Sequence, residues 1–242
     1  MSSGDGPAIA FANVSLSRGV AAVFSGLSLQ LSERRIGLIG NNGSGKSSLL
    51  RLINGLLLPD SGTIKLFGLD TRTNRNALPA LAGFLFQNPD HQIVFPTVAE
   101  EIAFGLREKG QGAKQAREAA IALLAAHGHP QWADRPIHEL SDGQKQLVCI
   151  LAVIITAPKL LLLDEPFSSL DLPTRHGLMN RLDGLPQRIL MASHDLELLA
   201  QFDRIIWIDG GTVFADGPPA KVLSTYRDAC MSRVRPLLQA AQ

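Results

Sequence analysis

A glycine-rich segment in the first quarter of the chain constrains the fold more than any other feature. It reads Gly40, Asn41, Asn42, Gly43, Ser44, Gly45, Lys46 and Ser47, which matches the phosphate-loop pattern G-x-x-x-x-G-K-[ST]. A β-type run at 35–39 precedes it and a helical segment beginning near Ser48 follows it. In this context the loop N–H groups and the helix N-terminus form an anion site. The segment predicts nucleotide contacts from Gly40 through Ser48, with Lys46 on the β and γ phosphates and Ser47 on Mg²⁺. A glycine-rich turn without a ligand is the weaker alternative.

Composition excludes several other classes of protein. The 242 residues carry 23 Lys plus Arg against 22 Asp plus Glu, a formal net charge of +1, so no basic field draws the chain to nucleic acid. Cys149 and Cys230 lie far apart and form no Cys-x-x-Cys pair, which argues against a zinc site or a disulfide framework. The longest apolar stretch, 147–157, has eleven residues, whereas a membrane-spanning helix needs about 20. It predicts a core helix, and any membrane role has to come through a partner.

The remaining patterns predict strands and helices in alternation. The first β-type runs are at 8–14, 27–31, 35–39, 63–67 and 83–86. The pattern is then helical from 98 to about 127, which indicates a helical subdomain. Apolar runs at 160–163, 189–191 and 205–208 alternate with helical segments, as expected of parallel strands buried on both faces. Asp209, Gly210 and Gly211 predict a hairpin turn.

Two carboxylates follow the apolar run at 160–163. Asp164 and Glu165 end this predicted buried strand, which is the form of a Walker B element. Asp164 is expected to hold Mg²⁺ through water, and Glu165 to orient or deprotonate the attacking water. An apolar strand that ends in Asp-Glu can also simply begin a loop. The phosphate loop upstream favours the catalytic interpretation of a P-loop NTPase.

A third motif narrows this class. Residues 140–146, LSDGQKQ, resemble the LSGGQ signature of ABC ATPases. Ser141 is a natural N-cap, so a second anion-binding helix end is predicted. In that family this helix end, here Ser141, Asp142, Gly143 and Gln144, meets the γ phosphate bound by the other subunit. A plain capped helix is the alternative. Asp142 departs from the usual glycine, adds a negative charge near the phosphate, and predicts weaker or slower hydrolysis.

Four single residues extend the resemblance to the ABC ATPases. Gln87, Asp171 and His194 match the family's Q-loop, D-loop and H-loop in order and spacing. The resemblance implies that Gln87 senses magnesium and water, Asp171 communicates across a dimer, and His194 contacts the γ phosphate. A strand-end histidine with a structural role is the alternative for His194. Arg18 aligns where the family stacks an aromatic ring on adenine, and a guanidinium can stack on a base. An exposed loop charge, with Phe24 or no residue stacking in its place, is equally open.

A longer resemblance points to one group within the family. Residues 86–105, FQNPDHQIVFPTVAEEIAFG, are similar to the Q-loop region of the ATPases of energy-coupling-factor importers, and 33–46 and 195–209 extend the similarity. This segment is expected to form an apolar cleft for a coupling helix of a membrane subunit, lined by Phe95, Val98, Ile102 and Phe104. The alternative is that these four side chains fill the core.

The resemblance implies a fold, partners and a location. The fold is α/β, a P-loop NTPase core of mainly parallel sheet with an antiparallel β subdomain and a helical subdomain. One domain would cover 1–242, with the helical subdomain at about 88–158 and a short tail at 227–242. Mg-ATP would be hydrolysed by a head-to-tail homodimer at the cytoplasmic face of the inner membrane. Its partners would be a membrane-spanning coupling subunit and a substrate-binding membrane subunit, without nucleic acid and without direct substrate contact.

The cargo is the least determined property. Cobalt or nickel is the preferred expectation and biotin the alternative. An alternative from a different functional class is a soluble ABC ATPase that acts on DNA or ribosomes. A third hypothesis is a non-catalytic scaffold, motivated by Asp142 and the missing adenine-stacking tyrosine. A soluble ABC ATPase that acts on DNA or ribosomes normally has a coiled-coil insertion, tandem domains or a basic surface, and this sequence shows none of them.

Overall fold

A computed structural model describes residues 6–239, with side chains described up to residue 232. The strands are β1 Ile9–Arg18, β2 Ala21–Leu31, β3 Arg35–Ile39, β4 Ser61–Leu66, β5 Leu69–Asp70, β6 Ala82–Leu85, β7 Leu160–Asp164, β8 Arg188–Ala192, β9 Arg204–Asp209 and β10 Thr212–Gly217. The helices are α1 Lys46–Ile53, α2 Leu78–Leu81, α3 Val98–Glu108, α4 Ala113–Ala126, α5 Asp142–Ile154, α6 Leu172–Asp183, α7 Leu196–Leu199 and α8 Pro219–Gln239. The chain divides into two compact units, Met1–Arg75 with Ile189–Gln242, and Asn76–Arg188.

The first unit contains two groups of strands. An antiparallel sheet has the order β2-β1-β4-β5. In the other group β3 lies between β8 and β9 and is parallel to both, while β10 pairs antiparallel with β9. All five residues of β3 are buried, as expected of a parallel strand covered on both faces. Gly210 (φ 54°) and Gly211 (φ 75°) form the predicted hairpin turn between β9 and β10, because such two-residue turns require positive φ at both positions.

The second unit holds one pair of parallel strands, β6 and β7, and the helices α2 to α6. The predicted core helix is confirmed: α5 runs to Ile154 and buries the residues from Gln146 to Leu151. The helical stretch predicted from 98 to 127 is two helices, because Gly110 adopts φ 88° and ends the first. The predicted α/β class, with parallel strands, an antiparallel sheet and helices, is confirmed.

Two predicted boundaries can be set against these elements. The helical subdomain expected at about 88–158 contains α3, α4 and α5, whereas the compact unit is wider because it also includes β6 and β7. Residues 227–239 of the expected tail continue α8, and 240–242 lie outside the described residues. Between residues 6 and 239, no helix is both long and apolar enough to cross a membrane.

Arg204 clamps the start of β9 to its neighbours in the first unit. Its Nε and Nη2 each donate to an oxygen of Asp216 at 2.6 Å, and its Nη1 donates to Glu33 and to the Gln30 carbonyl at 3.0 Å. Partial burial tends to raise the pKa of Glu33, but hydrogen bonds from backbone N–H groups and from Arg204 outweigh it and hold this pKa below its usual value. A carboxylate with a lowered folded-state pKa stabilises the fold above its usual pKa, and loses that contribution as the pH falls through the lowered value.

Replacing Arg204 with methionine is therefore expected to lower the free energy of unfolding by about 2 kcal/mol at pH 7, because charge-assisted hydrogen bonds are lost. Urea denaturation checks this, with Arg227→Met on the exposed part of α8 as the matched control. The loss should shrink as the pH falls below the usual glutamate pKa. Equal midpoints for the two variants at pH 7 would contradict the clamp.

Candidate functional site

The phosphate loop joins β3 to α1, in the context that the sequence predicts. Gly40 adopts φ 147°, and a Cβ there would lie 2.1 Å from the Ile208 carbonyl oxygen and 2.7 Å from Ser44 Oγ. Gly45 adopts φ 109°, and a Cβ there would lie 2.7 Å from the Phe24 ring. Both positions require glycine for conformation and for space. The loop therefore wraps closely over the end of the strand, which leaves the N–H groups at the start of α1 to face a ligand.

Lys46 supplies the positive charge of this loop. Its Nζ donates to the Gly40 carbonyl at 2.7 Å and to the Asn41 carbonyl at 3.2 Å, and the residue is buried. The side chain thus curls back over the loop, at the position where phosphates would bind. Of the two serines that follow, Ser48 is buried and Ser47 is partly exposed, so Ser47 is the better placed to reach a metal ion.

His194 is brought to the same loop by strand order. β3 and β8 are parallel neighbours, so their carboxyl ends lie at one edge. His194 follows β8 by two residues, and its Nε2 lies 3.0 Å from Asn42 Oδ1. Since an amide oxygen only accepts, Nε2 carries the proton in this contact. The structure thus places His194 beside the phosphate loop, and its contact with the γ phosphate stays a prediction.

The two carboxylates of the Walker B element lie in the second unit, where β7 ends. All five residues of β7 are buried, including Asp164 at 5% exposure. Glu165 follows with φ 50°, a left-handed conformation that is rare for a residue with a side chain. Such backbone strain concentrates at functional sites. Glu165 is thus held at the strand end in a fixed, costly conformation.

The pairing of β6 with β7 places Gln87 beside the loop that follows the Walker B strand. The two strands are parallel, so the segments that follow Leu85 and Asp164 leave the sheet at one edge. The Gln87 Nε2 donates to Ser168 Oγ at 3.3 Å. The structure therefore brings Gln87 to the loop that follows the Walker B strand, and an amide oxygen suits a hard metal ion.

The signature residues form the start of α5. Ser141 is the N-cap, as predicted, and makes a capping box: its Oγ accepts from Gln144 N at 3.4 Å, and Gln144 Oε1 accepts from Ser141 N at 3.1 Å. Asp142 is exposed at the first helical position, where a carboxylate is favoured by the helix N-terminus.

The Asp171 segment contacts this helix end. Asp171 caps α6, because its Oδ1 accepts from Thr174 N at 2.9 Å. Hydrogen bonds from the Thr174 side chain and from its backbone N–H lower the pKa of the Asp171 carboxyl. A Cβ on Gly143 would lie 2.5 Å from Thr174 Cγ2, so α5 and α6 meet without space for a side chain there. Gly143 is therefore needed for close contact between the two helix ends.

Arg18 ends β1 beside an exposed hairpin turn, and its side chain is itself exposed. Phe24 is only 1% exposed, with its ring beneath Gly45. The alternative in which Phe24 stacks on adenine is therefore wrong, since no face of that ring is open. The two alternatives left are that Arg18 stacks on adenine or that no side chain does.

The predicted apolar cleft is corrected in part. Val98 and Ile102 are fully buried, so for these two residues the core alternative is right. Phe95 and Phe104 pack with their ring centroids 5.1 Å apart nearer the surface, and Val94, which the sequence analysis missed, is 74% exposed. The buried Glu101 holds this loop, since its Oε2 accepts from Val94 N and Phe95 N at 2.9 Å each. In the sequence, the available sign of this role of Glu101 was an acidic residue in the first turn of an apolar helix.

Comparisons with known proteins agree with these motifs. The family model described as ABC transporter matches residues 24–168. The biotin transport ATP-binding protein BioM of Rhodobacter capsulatus is 48% identical over 94% of this chain and 97% of its own length. The energy-coupling factor transporter ATP-binding protein EcfA2 of Methanospirillum hungatei is 37% identical over 82% of this chain and 51% of its own length.

The fold has a matching solved structure. The cbiO1 protein of Clostridium perfringens, part of the ABC transporter complex cbiONQ, superposes with a TM-score of 0.80 at 26% identity, covering 97% of this chain and 99% of that one. The family model spans more than half of the chain, and the motifs that it covers are the ones that build the phosphate loop and the Walker B strand. The chain therefore belongs to the ABC transporter family, as one of its ATP-hydrolysing subunits.

Proposed function

We propose that this chain powers the import of biotin as the ATPase of an energy-coupling-factor transporter. The observation that carries the proposal is the 48% identity to BioM along nearly the full length of both chains. It replaces the preference for cobalt or nickel that the sequence alone suggested. Cobalt or nickel, the expectation from the sequence, stays as the second candidate.

The side-chain oxygens proposed to bind Mg²⁺ are of the kind that this ion prefers. Ser47, Asp164 and Gln87 offer hydroxyl, carboxylate and amide oxygens, the donors that this hard cation prefers. Among the residues described, no group of three or more His, Cys, Asp or Glu could hold a metal ion. When bound, Mg²⁺ would supply charge neutralisation on the β and γ phosphates.

The residues then divide the work of hydrolysis. Residues Gly40 to Ser48 bind the phosphates, with Lys46 as the cation. Glu165 orients the attacking water and accepts its proton, and His194 contacts the γ phosphate. Asp171 and the end of α5 from Ser141 to Gln144 serve the nucleotide held by a second copy, so two copies pair head to tail. ATP favours the closed pair through its γ phosphate, and hydrolysis removes that preference.

The partners follow from this arrangement. A coupling subunit that spans the membrane would contact the exposed Val94 and Phe104 and the partly buried Phe95, since an amphipathic helix recognises such an apolar surface. A second membrane subunit would bind the cargo, so this chain makes no direct contact with it. The chain would then lie at the cytoplasmic face of the inner membrane, peripheral to it.

Cargo uptake tests the proposal. In a strain that lacks this gene, the native chain is expected to restore uptake of labelled biotin, and Glu118→Gln on the exposed face of α4 is expected to do the same. Glu165→Gln should not restore it. Restoration of cobalt uptake without biotin uptake would favour the metal candidate and reject biotin.

A further inference from the structure

The first turns of α5 are tied to the segment that follows Gln87. A short 3₁₀ helix, Pro89–His91, lies in that segment. Lys145 Nζ is 2.8 Å from Asp90 Oδ1, and the Lys145 side chain is only 16% exposed although it carries a charge. The ion pair joins residues 55 positions apart in sequence. It lies one position beyond Gln144, next to the N-terminal end of the helix.

A second set of contacts lies one turn further along α5. The Gln92 side chain accepts from Phe86 N at 3.4 Å and donates to the Cys149 carbonyl at 3.5 Å, and Cys149 Sγ lies 4.0 Å from the Pro89 carbonyl. Residues 145 and 149 are one helical turn apart, so they face the same segment. These contacts are long and uncharged, which makes them weak. The Lys145–Asp90 pair is the short, charged contact and the one nearest to Ser141.

The same helix end also contacts the segment of Asp171. Gly143 lies against Thr174, and Gln87 in turn donates to Ser168. The contacts therefore form a closed ring within residues 87–174. Gln87 is hydrogen-bonded to Ser168 in the loop before α6, and Thr174 at the start of α6 lies against Gly143 at the start of α5. The Lys145–Asp90 ion pair closes the ring, because Asp90 follows Gln87 by three residues. A displacement of any one of these segments shifts the position of Ser141.

From this ring we infer that Lys145 is a positioning residue for ATP hydrolysis. Its ion pair with Asp90 fixes the direction of the first turn of α5, and so the position of the residues from Ser141 to Gln144 against the nucleotide of a second copy. The inference rests on the proposed head-to-tail pairing. A displacement of about 1 Å at a reacting centre can lower a rate by about 100-fold, whereas a partly exposed ion pair contributes little to folding stability.

The test uses the transporter complex purified with its membrane partners through a tag on this chain. Lys145→Met is expected to lower kcat for ATP about tenfold and to leave KM within about twofold, since the phosphate loop does not take part in the ring. Reversing the pair, with Asp90→Lys and Lys145→Asp together, is expected to restore most of kcat. The matched control is Lys109→Met, because Lys109 Nζ donates to the Thr156 carbonyl just after the other end of α5.

Three results would overturn the inference. The first is a Lys145→Met complex with kcat within twofold of the native one. The second is a loss that the reversed pair does not restore, which would mean that the pairing with Asp90 has no part in it. The third is a fall in Tm with kcat and KM both changed, which would mean a structural role only. If the native complex itself hydrolyses no ATP, the proposed function fails and not the ion pair.

Discussion

Replacing Glu165 with glutamine is expected to stop ATP hydrolysis while ATP remains bound. The side chain keeps its size, so the strained φ of 50° and the end of β7 should persist. It loses the carboxylate that we propose accepts the water's proton, and general bases of this kind contribute about 100- to 10,000-fold to a rate. The phosphate loop is untouched, so the affinity for ATP should stay within a few-fold of the native value. Phosphate release and ATP binding by the purified complex measure the two quantities separately.

Glu118→Gln makes the same chemical change on the exposed face of α4 and should leave both quantities unaltered. Size-exclusion chromatography with ATP adds a third readout, because a closed pair that cannot hydrolyse its nucleotide should accumulate. A Glu165→Gln complex that releases phosphate at more than a tenth of the native rate would show that another group activates the water. Loss of ATP binding in the same variant would show that the substitution disturbed the strand end and not the chemistry.

The parts of this site that are local in sequence were predictable. The phosphate loop, the carboxylates after β7 and the cap at Ser141 each depend on residues a few positions apart, and the chemistry of those residues fixes the local backbone. Parallel pairing supplied the next step, since it brings His194 to the loop after β3 and Gln87 to the loop after β7. Strand order thus brings these candidate residues together within each unit, from patterns that a sequence displays.

Whether an apolar side chain is buried or exposed depends on which side of its helix or strand faces the core. Val98 and Ile102 were expected at an apolar surface, yet both point into the core, while Val94 is exposed just before the helix. Apolar residues at helical spacing define a face, but the pattern does not say what covers it. The same limit applied to Phe24. The sequence left open whether its ring stacks on adenine, and its burial beneath Gly45 excludes this.

Contacts between distant segments were beyond prediction. Nothing in the sequence near Lys145 points to Asp90, and nothing near Glu101 points to the backbone N–H groups of Val94 and Phe95. Each depends on how α3, α5 and the segment after β6 pack against one another. Such contacts between distant segments are therefore visible only in the structure, whereas the residues proposed to bind the nucleotide are visible in the sequence.

Replacing Lys46 with methionine is expected to weaken ATP binding about 100-fold. Methionine keeps the apolar stem and removes the ammonium, which is worth about 3 kcal/mol where a charge-assisted hydrogen bond to phosphate is lost. ADP should lose less affinity than ATP, because the γ phosphate is one of the two phosphates that we propose Lys46 binds. Titration calorimetry with both nucleotides measures the difference.

Lys65→Met on the exposed side of β4 is the matched control, since it removes a lysine from the same unit without touching the loop. The ammonium of Lys46 also holds the carbonyls of Gly40 and Asn41, so the loop itself could loosen when it is removed. A loosened loop would weaken ATP and ADP equally, and would lower the free energy of unfolding. An unequal loss at unchanged stability assigns Lys46 to the γ phosphate. An equal loss assigns it to the shape of the loop.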